Sequence, residues 1–219
     1  MSPLRFSCAA MTFTVYTFEV GLGQEWIFPV DEDHFELFFA MNGKVISNWD
    51  PPVMRVNREI NHEERFSSSF PWLDEHVPFL RKPAVILLKY ERFLFNHERR
   101  FYSDFPWLGE HVPFLRKPAV EALGHVLLKY GQLLPVRGEE VWLFNATTVL
   151  DALDHERSHI VYFDDGGILA IERYVFDRGR IGTAEVFKLP MRASPVFVTD
   201  SFVKQVRSAG LRDVSFKAL

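Results

Sequence analysis

Apolar and polar residues alternate with a period of two over residues 12–18 (TFTVYTF), and β-branched and aromatic side chains fill the apolar places, which predicts a strand. Glu25–Val30 and His34–Ala40 read the same way, and Asn42–Gly43 before Lys44–Ser47 supplies a two-residue turn, so 34–47 is expected to form a hairpin. Pro51–Pro52 closes this region. Further on the period changes. Ala119, Val120, Leu123, Val126, Leu127 and Tyr130 fall on one stripe of a 3.6-residue repeat, with Pro118 at the first helical position, Glu121 in the first turn and Gly131 as a stop. That predicts a helix over about 118–130. Alternation returns at Glu139–Asn145, His159–Phe163, Ile168–Arg173 and Ala184–Leu189, with Asp164-Asp165-Gly166-Gly167 as a hairpin turn. The tail reads as a strand at Pro195–Val198, a helix over about 200–209 and a strand at Val214–Phe216. Thr199 or Asp200 can cap this helix and Gly210 can end it. Strands in runs, broken by two main helices, describe an α+β fold with a mostly antiparallel sheet.

One stretch appears twice. Asn61–Val85 recurs as Asn96–Val120 with 21 of 25 positions identical; the differences are Glu64/Arg99, Ser67/Tyr102, Ser69/Asp104 and Asp74/Gly109. Structural repeats drift in their letters, so identity this high points to a recent duplication of the coding sequence. Stacked solenoids need about three repeats, which argues against that architecture. After Val120 the chain continues EALGHVLLKYG, whereas after Val85 it jumps to ILLKYERF, five residues short. In a helix that loss turns Leu87, Leu88 and Tyr90 away from the face that Leu127, Leu128 and Tyr130 occupy. The second copy is therefore expected to be the fold's own element. Residues 61–95 are read as a near-duplicate insertion of 96–130 within a single α+β domain over 12–219. Residues 1–11 are read as a disordered leader, with Met11 as an alternative start.

Composition narrows the function classes. The net charge of −4 and a pI near 6.1 argue against nucleic acid as a partner. The single cysteine, Cys8, allows no internal disulfide and fits a reducing, cytoplasmic setting. No run of 18 apolar residues exists to span a membrane.

The sharpest candidate for chemistry is His155-Glu156-Arg157-Ser158-His159, a literal H-E-x-x-H. A zinc hydrolase needs that motif on a helix, so that both imidazoles reach one ion while the Glu polarises its water. Here His159 opens an alternating strand, where positions four apart are about 13 Å from each other. No catalytic, cofactor or metal role is assigned. Asp151, Asp154, Glu156, Asp164 and Asp165 make an acid-rich stretch, read either as a wet face or as a docking surface. Trp72 and Trp107 sit in Phe-Pro-Trp-Leu segments that could anchor a partner.

From residue 118 the order of motifs becomes distinctive. PAVEALGHVLLKYGQLLPV, EEVWLFNATTVLDALDHERS, AEVFKLP and SPVFVTDSFVKQVRSAGLRDVSF together resemble immunity protein family 11 of bacterial polymorphic toxin systems. YTFEVGLGQEWIFP and MNGKVISNWDPPV share the likeness, which extends over roughly 12–60 and 96–219. The duplication departs from the family pattern, and so does Asp213, where a glycine is expected. The resemblance implies a non-enzymatic binder that neutralises a cognate toxin by occlusion, with a basic toxin suited to the acidic surface. Asp164, Asp165, Glu172, Trp72 and Trp107 are the candidate interface residues. Two alternatives stand beside it: a zinc-dependent hydrolase through His155, Glu156 and His159, and a generic adaptor self-associating through the duplicated segment.

Overall fold

The computed structural model describes residues 13–21, 25–57, 102–162, 164 and 166–219. The first copy of the repeat, residues 61–95, lies outside them, as do the leader, Trp72 and Asp165.

Four strands form an antiparallel sheet in the order β11 (Ser215–Ala218), β1 (Val15–Glu19), β10 (Phe197–Thr199) and β9 (Val186–Phe187). Val15 pairs with Thr199, Phe18 with Phe216, and Phe197 with Phe187. Three more strands form an antiparallel sheet ordered β4 (Phe114–Arg116), β6 (Val141–Ala146) and β5 (Gly131–Pro135). Two antiparallel pairs complete the strands: β2 (Trp26–Pro29) with β3 (Met54–Asn57), and β7 (His159–Tyr162) with β8 (Ile168–Arg173). The helices are α1 (His34–Phe39), α2 (Lys117–Leu127), α3 (Arg178–Ile181) and α4 (Asp200–Ser208). The α+β class and both main helices stand as the sequence predicts.

The period-two rule assigns each strand's neighbours. In the three-stranded sheet, Leu115 and Phe144 enter one hydrophobic cluster, while Phe114 and Leu143 enter a second on the opposite face. The first cluster also holds Ala119, Leu123, Val126 and Leu127 of α2, and Phe202, Val203 and Val206 of α4. Val186 and Val198 of the four-stranded sheet close it. The other face of that sheet gives Val15, Phe187 and Phe197 to a third cluster, with Ile160 and Ile171 of the β7–β8 hairpin packed against it.

Three expectations fail. His34–Ala40 is not a strand and 34–47 is not a hairpin: residues 34–39 form α1. Phe38 is its buried residue, with Leu37 packed against the same cluster, so an aromatic-rich run that also fits a strand is helical here. The backbone around Ile46 is held instead by the Gln132 side chain, which accepts from Ile46 N at 2.9 Å and donates to Ile46 O at 3.1 Å. Pro51–Pro52 does not end the N-terminal β region, because β3 follows at once and pairs with β2. Neither Thr199 nor Asp200 caps α4 by its side chain. The Asp200 carboxylate accepts from Thr14 N at 2.7 Å and from the Tyr16 hydroxyl at 3.0 Å, tying α4 to β1.

Candidate partner-binding surface

The 102–113 segment of the second copy leads into β4 as a loop held from three sides. Trp107 N donates to Glu25 O at 2.7 Å and Ile27 N donates to Trp107 O at 2.9 Å, a parallel bridge to β2. Arg116 and Glu25 form a buried ion pair at 2.9 Å, and Glu25 also accepts from Ser103 N. Lys188, 1% exposed, reaches through the body to donate to Met41 O at 2.7 Å and to His111 O at 3.1 Å. Burial lowers the Lys188 pKa to about 8. Burial, then the Lys188 charge, lowers that of His111 to about 4, so its ring is neutral at physiological pH and stacks on Phe39 at 4.8 Å. Burial raises the Tyr174 pKa, and the Glu110 charge adds to the rise. This cluster is a clamp between elements: the Lys188 ammonium is spent on two carbonyls at a turn.

Trp107 is half-buried and packs on the first cluster. The hairpin lies elsewhere, on the third. Asp164 is exposed at its turn. Glu172 is exposed on β8 with Oε2 3.1 Å from His159 Nδ1. The structure therefore does not gather Trp107, Asp164 and Glu172 into one cluster; the hairpin residues stand together and the Trp apart. The acid-rich stretch is also less uniform than its letters. Arg157 sits 3.9 Å from Asp154, and Arg173 donates to Arg157 O at 2.8 Å, so arginines interleave with Asp154, Glu156, Asp164 and Glu172. Tyr162, 50% exposed, adds an aromatic to the face.

The H-E-x-x-H residues take a different form from a metal site. Residues 155–157 are a turn and His159 begins β7, so no helix carries the pair. His159 faces Glu172 across the hairpin. Among the described residues no group of three or more His, Cys, Asp or Glu is placed to hold a metal ion. Asn145, in the formal sequon Asn145-Ala146-Thr147, is buried, with Nδ2 donating to Lys44 O at 2.9 Å. Among the described residues no helix is long and apolar enough to cross a membrane.

Residues 134–219 match the model of the immunity protein family, Imm11. The matched stretch runs from the end of β5 to the C-terminus and contains the β7–β8 hairpin, Lys188 and Asp213, but neither copy of the repeat. No curated protein matches the chain. The family match suggests an immunity function, and its stretch contains the C-terminal part of the resemblance read from the motif order.

Clamp residues were harder to find. Lys188 lies in the FKLP motif, but a lysine among apolar residues just past the two-residue strand β9 gives no sign that it points inward. Its signal is only visible once Phe187 and Leu189, both buried, leave it no exposed side.

Proposed function

We propose that this chain is an immunity protein that binds a cognate bacterial toxin and neutralises it by occlusion, without catalysis, in the cytoplasm of the producing cell. The observation that carries the reading is the Imm11 match over 134–219. The exposed β7–β8 hairpin within that stretch is the proposed centre of contact. Asp164, Asp165 and Glu172 supply negative charge towards a basic toxin, and Tyr162 an aromatic anchor. Interfaces of about 800 Å² per partner suffice for tight binding when a few such anchors are buried. Charge at the rim acts mainly on the association rate. Trp107, and Trp72 of the other copy, are kept as secondary contacts.

The test uses the proposed cognate toxin. With Asp164→Lys, Asp165→Lys and Glu172→Lys combined, association at low salt should slow by about tenfold or more, while the melting temperature stays near that of the parent. Unchanged association would remove the hairpin from the interface.

A further inference from the structure

The two copies share most of the residues that hold the second one in place. Ser103, Phe105, Trp107, His111, Phe114 and Arg116 have identical counterparts in Ser68, Phe70, Trp72, His76, Phe79 and Arg81. The Glu25–Arg116 pair, the β4–β6 register and the Lys188 clamp on His111 could thus be satisfied by either stretch as far as side chains decide. Of the four positions that differ, three are described, and each favours the second copy.

Tyr102 stands where the first copy has Ser67. Its ring carries the Arg212 guanidinium at 3.8 Å from the centroid and that of Arg116 at 5.2 Å. Asp104 stands where the first copy has Ser69. It is buried, accepts from Arg212 N at 2.8 Å, and lies 3.6 Å from Arg212 Nε. A serine can neither stack on a guanidinium nor neutralise it. Gly109 stands where the first copy has Asp74. A Cβ at that point would come within 2.7 Å of His111 Cε1 and 2.8 Å of Nδ1. The ring has little room to retreat, since Phe39 stacks against it and Lys188 holds the His111 carbonyl.

We infer that Tyr102, Asp104 and Gly109 are the specificity determinants of an intramolecular docking slot, and that they exclude the chain's own Asn61–Val85 stretch from it. The slot is the groove between β2, β6 and the Arg212–Asp213 turn that residues 102–116 now fill. Two attractive differences reward the resident and one steric difference rejects its near-twin, which is how close competitors are told apart.

The decisive variant leaves every residue of the occupied slot untouched. Ser67→Tyr, Ser69→Asp and Asp74→Gly, made together in the full-length chain, give the first copy the same three residues. Hydrogen exchange read by mass spectrometry follows each copy separately, through peptides that contain Glu64 or Arg99. The expected result is at least tenfold faster exchange over 102–116 than in the parent, with slower exchange over 67–81. Unchanged exchange over 102–116 would overturn the inference and leave the downstream helix as the sole selector. A second variant, Ser67→Tyr alone, should produce a smaller shift in the same direction; none of the slot's own contacts is altered by it either.

Discussion

Asp213 has a backbone φ of 50°, in the left-handed region where a side chain is strained and glycine is not. The resemblance read from the motif order expects glycine there, and the geometry gives a physical reason for one. The carbonyl of Asp213 accepts from the Ser103 hydroxyl at 2.8 Å, so the turn is held in place by a backbone atom that substitution preserves. Asp213→Gly should therefore raise stability by about 0.5 kcal/mol, the relief of strain exceeding the added freedom of the unfolded chain. Urea denaturation checks this, and a loss of stability would contradict it. His111 gives a second residue-scale expectation. Its folded pKa of about 4 lies below the unfolded value of 6.5, so between those two the unfolded chain binds more protons and stability falls as pH falls. Lowering pH from 6.5 to 4.5 should cost up to about 2 kcal/mol from this one group. His111→Asn should flatten that part of the profile; an unchanged slope would place the titration elsewhere.

At the scale of elements, the long amphipathic signals are the ones that survive in the structure. The α2 stripe of Ala119, Leu123, Val126 and Leu127 is buried as the period demands, and α4 buries Phe202, Val203 and Val206. Short elements were less legible. HFELFF satisfies either period over six residues, and what decides for α1 is the tertiary fit of Phe38 against Phe114, 5.8 Å away and edge-on. The strand β5 was hidden behind Gly131, which reads as a helix stop. Its stronger reason is proximity: a Cβ there would run into the Asn145 carbonyl oxygen and come within 2.8 Å of the Phe144 ring. Gly131→Ala should therefore destabilise by about 1–3 kcal/mol through overpacking against β6, measurable as a lower melting temperature. A neutral result would mean that β5 can move off its partner. The clamp residues of the candidate surface were illegible for the same reason as α1: Lys188 and Glu25 are polar letters whose partners, Met41, His111 and Arg116, lie far off in sequence.

At the scale of the whole molecule, the described residues build three clusters, two larger sheets and two strand pairs into a body that presents the β7–β8 hairpin on one cluster and the FPWL loop on another. Rigid clamps, including the Glu25–Arg116 pair and Lys188, fix the loop to that body. This construction suits a protein whose product is a surface. The most direct test is calorimetric titration of the full-length chain with the proposed cognate toxin, paired with the toxin's activity in the same mixture. The account predicts a one-to-one complex with a Kd of about 10 nM or tighter, and toxin activity that falls in proportion to the complex formed. No binding at micromolar concentrations, or a complex in which the toxin stays fully active, would contradict it.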